Sequence, residues 1–303
     1  MRLFDLHCDT PSYCFRYGCS VRRHNGAVDL HRGKPFSPWS QAFAAFLPDG
    51  LEPPEARCLC MNLVDTVCGW EQESDFHLMR HRSDLDDTVA GCHGLLTVEN
   101  GGTIGEDFSF IDSLFQRGVR VMGLTWNGKN RWATGCMAGA DPLSSVGCQA
   151  LAHAEQLGIT VDVSHLNENG FWQVIRRCTK PIIASHSNGV AVCPHPRNLS
   201  DEQFCAIRDI GGIVGLNLYG PHLGNGDVLF NFRRHLEHFL SMNGEGCVCI
   251  GSDLDGMDIP PEWNGMEILD TLWKFLQDAG YPDNLLEDIF YNNAHDFFCR
   301  VLN

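Results

Sequence analysis

Leu3-Phe4-Asp5-Leu6-His7-Cys8-Asp9-Thr10-Pro11 opens the chain, and its reading decides the fold. Residues 3–6 form a short, mostly apolar run of the kind a buried strand needs. The turn after it offers no G-x-G-x-x-G, the phosphate turn that a doubly wound open sheet would want after its first strand. Seven further runs repeat the pattern, at 42–47, 94–98, 119–124, 159–163, 181–184, 213–217 and 247–250. Several are apolar throughout, as parallel strands covered on both faces are. Helical patterns lie between most of them, at 144–157, 167–177, 200–210, 229–242 and 267–279. Ser200 and Gln203 form a capping box, and Gly158 stands where a C′ residue belongs. Eight strands alternating with helices predict an α/β protein, a (β/α)8 TIM barrel.

The chain has 303 residues, 38 acidic against 22 basic, for a formal charge of −16. This balance argues against nucleic-acid and anionic-membrane partners. At 44% hydrophobic and 20% charged the composition is globular, and no break in it marks a second domain. Residues 1–303 therefore read as one barrel domain. Fifteen cysteines are scattered without a C-x-x-C pair, and Cys58/Cys60 and Cys247/Cys249 have the C-x-C spacing of a strand. They read as reduced, buried small hydrophobes rather than a disulfide or structural zinc framework. No signal-peptide core and no membrane-length apolar run is present, so the expected location is a reducing cytoplasm. Residues 11–40, rich in Arg, His and Gly, predict a loop or short helix over the C-terminal face of the barrel, placed as a lid. Residues 127–141 form a second glycine-rich loop on that face.

The chemistry lies at the strand ends. The first, third, fifth, sixth and eighth strands finish in His7-Cys8-Asp9, Thr97-Val98-Glu99, Asp162-Val163-Ser164-His165, Ser185-His186-Ser187 and Ser252-Asp253-Leu254-Asp255. In a barrel all of these open onto the face that carries catalysis. His7 and Asp9, two residues apart, share one side of their strand. With Glu99, His165 and His186 they make three histidines and two carboxylates, more than the usual four ligands of one zinc. Two metals sharing Glu99 would use them all. The other histidines carry less. His24, His31, His77, His81, His222, His235 and His238 stand in polar or helical segments and read as surface residues. His93 precedes its strand and belongs to the opposite face. His195, between two prolines, reads as part of a rigid turn.

Together these segments resemble the membrane (renal) dipeptidase family, zinc-dependent dipeptidases of the amidohydrolase-like barrel group. The matching stretches are Asp5-Leu6-His7-Cys8-Asp9-Thr10, Thr97-Val98-Glu99-Asn100, Leu124-Thr125 with Asn127, Asp162-Val163-Ser164-His165 and Ser185-His186-Ser187. Arg197-Asn198-Leu199-Ser200-Asp201, Gly251-Ser252-Asp253-Leu254-Asp255-Gly256 and Asn292-Asn293 complete the series, which spans nearly the whole chain. The resemblance implies a metallo-dependent hydrolase barrel with two zinc ions. His7 and Asp9 would bind the first, His165 and His186 the second, and Glu99 both. It further implies that Arg197 holds the substrate's C-terminal carboxylate, for which a guanidinium fork is suited. Asp253 would accept and return the proton, and Tyr219 would touch the substrate. The expected reaction is hydrolysis of a dipeptide, with D-residues accepted at the C-terminal position, and a homodimer is the family's assembly.

One position departs from the animal enzymes. Where they carry a histidine after Leu-Thr, this chain reads Leu124-Thr125-Trp126-Asn127. An indole N–H donates but never carries a charge, so Trp126 is either a weaker oxyanion donor or a pocket wall. Asp255 reads as a turn-former before Gly256. Two other functions fit the same motifs. One is a metal-dependent amidohydrolase acting on N-acyl amino acids or other small amides, and the other is a non-catalytic metal-binding barrel.

Overall fold

The structure, a computed structural model, describes residues 1–303, the side chain of residue 261 excepted. Its strands are β1 (Leu3–Cys8), β2 (Trp39–Phe46), β3 (Phe76–Leu78), β4 (Cys92–Glu99), β5 (Val119–Gly123), β6 (Thr160–Asp162), β7 (Ile183–Ala184), β8 (Ile213–Leu216) and β9 (Val248–Ile250). The helices are α1 (Thr10–Tyr17), α2 (Leu30–Gly33), α3 (Pro53–Gly69), α4 (Phe108–Arg117), α5 (Ser145–Leu157) and α6 (Glu168–Arg177). They continue with α7 (Asp201–Asp209), α8 (Gly220–Leu223), α9 (Val228–Leu240), α10 (Ile268–Asp278), α11 (Asp283–Glu287) and α12 (Asn293–Val301). All strand pairings are parallel, and the pairing of β2 with β4 closes an eight-stranded barrel. The sequence runs correspond to its eight staves. The ninth strand, β3, pairs only with the lower half of β4, whose upper half pairs with β5.

The barrel closes because its strands bury both faces. Phe4, Leu6, Ala42, Leu95, Val121, Ile183, Ile213 and Cys249 fill the interior, and Phe297 and Phe298 of α12 join them. Phe4 stacks on Phe298 at 5.3 Å between ring centres. The alternate residues, among them Phe43, Leu96, Val98, Val214 and Val248, pack outward against the helices. Burying a side chain of this size contributes roughly 1.5–3 kcal/mol. Three helix starts follow the sequence signals: Ser144, Asn167 and Ser200 each accept a backbone N–H of the first turn, and Gln203 completes the box at Ser200. Gly158 ends α5 at φ 91°.

Cys58 and Cys60 correct the strand reading. They lie on α3, where Ala56, Cys60, Leu63, Val64 and Val67 form the buried stripe and Cys58 faces water. The helical period was present, and the C-x-C spacing masked it. Cys247 and Cys249 do not share a face either: Cys247 joins the outer core and Cys249 the inner one. All fifteen cysteines are free thiols. No helix among the described residues is long and apolar enough to cross a membrane. Residues 11–40 begin as α1 and include α2. Val21, Ala27 and Val28 are buried, so this stretch is a packed wall of the face rather than a free flap.

His235 also corrects the sequence reading, because it is wholly buried on α9. Its Nδ1 accepts the Gly189 N–H at 3.1 Å and its Nε2 donates to the Leu223 carbonyl at 3.1 Å. One ring therefore ties the loop after β7 to α8, and it must be neutral to do so. Burial pushes it down to about 4. A depressed histidine stabilises the fold above its unfolded value near 6.5, and that contribution is lost as pH falls towards 4. Between pH 7.5 and 4 the wild type is expected to lose up to about 3 kcal/mol through this group. Urea titrations of wild type and H235Q at both pH values check it, and equal losses in the two proteins would refute it.

Candidate metal centre and cleft

Each candidate ligand stands at or just beyond the C-terminal end of a stave. His7 is the last residue but one of β1 and Asp9 follows that strand, Glu99 ends β4, and His165, His186 and Asp253 follow β6, β7 and β9. On β4 the residues Leu95, Thr97 and Glu99 alternate regularly. On β1 regular alternation from Phe4 and Leu6, which face the interior, would send His7 outward. The β1–β2 register slips between Asp5 and Cys8, and this irregularity lets His7 face the cleft while Cys8 packs outward. Asp5 holds the irregular stretch. It accepts the Ser252 hydroxyl at 2.5 Å, the Ser252 N–H at 2.8 Å and Gln41 Nε2 at 2.9 Å.

The five side chains converge. Glu99 Oε2 lies 3.6 Å from His7 Nε2, while its Oε1 lies 3.0 Å from His165 Nε2 and 3.9 Å from His186 Nε2. His7 Nε2 is 3.3 Å from Asp9 Oδ2 and 3.9 Å from Asp253 Oδ1. Ligand atoms of His7, Glu99 and His186 lie within 4.8 Å of one another, as do those of His7, Asp9 and Asp253. His7, Asp9, Glu99, His165 and His186 are each at most 7% exposed.

Their hydrogen bonds assign the free lone pairs. Ser185 Oγ donates to Asp162 Oδ2 at 2.5 Å, so it accepts the proton of His186 Nδ1 at 2.7 Å. His165 Nδ1 donates to Asn127 Oδ1 at 2.9 Å. Both rings then present a bare Nε2, and these two atoms are 3.0 Å apart. Two facing lone pairs need a cation between or beside them. Asp9 Oδ1 is buried and has no hydrogen-bond partner. The donor set, imidazole nitrogen with carboxylate oxygen, suits zinc.

The electrostatics show the same demand for positive charge. Burial raises Glu99 well above the carboxylate range, and the carboxylates of Asp9 and Asp253 add to it. Burial opposes a charge on His7, yet Asp9, Glu99 and Asp253 outweigh it and push His7 up to about 10. Burial holds His165 and His186 well below their usual value, helped by Arg197 and His7. Asp253 is pushed up to about 6, chiefly by burial. Asn217 Nδ2 donates to its Oδ2 at 2.9 Å, and the backbone of Asn217 is itself held by Asn188.

A cleft of about 540 Å3 lies above the cluster. Asp9, Glu99, His165, Asp253, Trp126 and Tyr219 line it. Trp126 packs edge-on against Phe46 at 5.1 Å and forms a wall. Arg197 does not line this cleft. It stands behind His186, donating to the His186 carbonyl and to Ser187 Oγ, each at 2.8 Å, and its Nε is buried without a partner. A Cβ at Gly256 would stand 2.2 Å from Asp9 Oδ2, so any larger residue there would push this candidate ligand aside. Asp255, at φ 63°, does form the turn, and its side chain also accepts Ala27 N–H at 2.6 Å and Thr10 Oγ1 at 2.7 Å. His165 and Asp253 adopt φ 68° and 66°, a costly conformation for such residues that the surrounding contacts hold in place.

His222 corrects the surface reading. It lines the cleft, half-buried, against Tyr219 at 4.7 Å and His195 at 4.6 Å, and burial with Arg197 nearby pushes it down to about 3. Asn217 and Asn188 are not among the candidate site residues of the sequence, since an Asn at the end of an apolar run usually marks only a turn. His93 lies at the start of β4, away from the cleft, as expected.

Sequence and fold both match known proteins. A family model described as membrane dipeptidase, peptidase family M19, matches residues 1–302. An uncharacterised protein encoded in the pqqA 5′ region of Klebsiella pneumoniae is 34% identical over 210 residues, covering 65% of this chain and 77% of its own. The dipeptidase aclJ of Aspergillus oryzae is 30% identical over 202 residues, 64% of this chain but only 45% of the fungal protein. A Rhodobacter sphaeroides metallo peptidase, solved with a phosphinate mimic of the dipeptide L-Ala-D-Ala, shares the fold at TM-score 0.92 and 24% identity, with 99% of each chain covered. The dipeptidase AC, a metallo peptidase of family M19, superposes at TM-score 0.92 with 25% identity over 100% of this chain and 99% of its own. The chain belongs to the membrane dipeptidase family, peptidase family M19, the metallo-dipeptidases.

Proposed function

We propose that residues 1–303 form one catalytic domain that holds two zinc ions and hydrolyses dipeptides with a free C-terminal carboxylate, including those ending in a D-residue. The observation that carries this reading is the division of Glu99, one oxygen towards His7 and the other towards His165. His7 and Asp9 would hold one ion, His165 and His186 the other, and Glu99 would serve both. When bound, the pair supplies Lewis acidity and lowers the pKa of the attacking water. Asp253, ionised and oriented by Asn217, takes the proton of that water and delivers it to the leaving amine. Arg197, a buried guanidinium behind His186 with an unpaired Nε and no carboxylate partner among the described residues, supplies the positive charge that draws the substrate carboxylate to this side of the cleft, where Tyr219 lines the wall. Trp126 closes the wall over the scissile bond. The L-Ala-D-Ala mimic on the Rhodobacter relative supports a D-residue at the C-terminal position. Fifteen free thiols suit a reducing cytoplasm.

The test is paired. Elemental analysis is expected to find near two zinc per chain, and hydrolysis of an L,L and L,D dipeptide panel is expected to vanish on chelation and return with zinc. Two metals without dipeptide turnover would sink the substrate class. Less than one metal, unchanged by added zinc, would sink the site.

A further inference from the structure

We propose that a chamber beside the catalytic cleft receives the large apolar or aromatic side chain of the substrate's N-terminal residue and so sets the enzyme's preference. The proposal rests on the dipeptidase reading above. The chamber has a volume of about 730 Å3, larger than the cleft at about 540 Å3. Tyr13, Phe15 and Tyr17 of α1, Leu59 and Leu63 of α3, and Ile259 after β9 line it. Phe46, Met257 and Asp258 line both spaces, so one opens into the other.

Three observations select the occupant. Phe15 is 45% and Tyr17 63% exposed, and large apolar side chains left in water around a concavity are what an apolar ligand covers. The chamber adjoins the cleft on the β1–β2 side, whereas Arg197 and Tyr219 follow β7 and β8. A dipeptide with its carboxylate at that second pole turns its N-terminal residue towards the first. Asp258, on the rim common to both spaces, suits the free ammonium that such a residue carries.

The experiment compares kcat/KM for Phe-Ala, Ala-Ala and Ala-Phe in wild type, in L59W and in the double variant F15A/Y17A. Leu59 is half-buried, so the larger ring enters the chamber without disturbing the core. Phe-Ala is expected to exceed both other substrates by about tenfold or more, the scale a few apolar carbons provide in a fitted pocket. In both variants the Phe-Ala to Ala-Ala ratio is expected to fall towards one, chiefly through KM. Equal wild-type values for Phe-Ala and Ala-Ala overturn the proposal and leave the dipeptidase reading intact. So does a dimer that F15A/Y17A dissolves without moving the ratio, which would make the aromatic face a subunit interface. If no dipeptide is hydrolysed, the dipeptidase reading has failed. Calorimetry with Phe-Ala and Ala-Ala on the chelated protein then decides the chamber: tighter binding of Phe-Ala that L59W abolishes supports it, and equal binding overturns it.

Discussion

Glu99→Gln is expected to lower kcat/KM by roughly 10^4-fold or more and to reduce bound zinc from near two per chain to one or fewer. Glu99 is buried at the end of β4, with its two oxygens turned to different histidines. Glutamine keeps the size and the rotamer but presents one oxygen and one NH2 group. Whichever way the amide turns, one side offers donor hydrogens where a cation is to sit. The negative charge that would balance two dications in a buried site is lost as well. Elemental analysis beside dipeptide kinetics reads the effect, and circular dichroism establishes that the barrel persists. A variant that keeps wild-type zinc and more than a tenth of the activity would refute the bridging role.

Asp253→Asn is expected to behave differently, losing about 10^2- to 10^4-fold in kcat while keeping its zinc. The side chain approaches His7 only at 3.9 Å, and Asn217 directs its other oxygen. An amide preserves that hydrogen bond but cannot take a proton. The wild-type pH profile tests the same group. Burial pushes Asp253 up to about 6, and bound dications would favour the carboxylate and bring it lower. In the proposed mechanism the base works ionised, so activity is expected to fall as pH drops through that value, with the acid limb at or below about 6. In D253N this limb disappears from the residual rate. Activity within tenfold of wild type, or an unchanged limb, would remove Asp253 from proton transfer.

The staves were legible because parallel strands buried on both faces must be apolar runs, and the helices flanked by Ser144, Asn167 and Ser200 because caps are local hydrogen-bonding motifs. The candidate ligands were legible for a related reason: a His or Glu placed immediately after an apolar run has no role in a core. α3 was missed through the C-x-C pair, although its buried stripe runs at helical spacing through Ala56, Cys60, Leu63, Val64 and Val67. His235 was missed in the same way, on the face of α9 that carries Phe232, Leu236 and Phe239. His222 had no local signal, since a residue two places after Gly220 becomes part of the cleft only when α8 is folded back over it.

The sequence by itself determined the class of barrel, the order of its staves and the residue types at their ends, because burial, strand period and capping are properties of neighbours along the chain. The tertiary structure alone decided where those ends point. A register irregularity in β1 turns His7 inward against the alternation set by Phe4 and Leu6. Glu99 divides its oxygens between histidines from three other staves, and Arg197 settles behind His186 rather than in the cleft. α1 and α3, which begin more than forty residues apart, meet to enclose an aromatic chamber. Each of these is a distance between segments remote in sequence, set by barrel closure and packing, and local residue patterns carry no record of such distances.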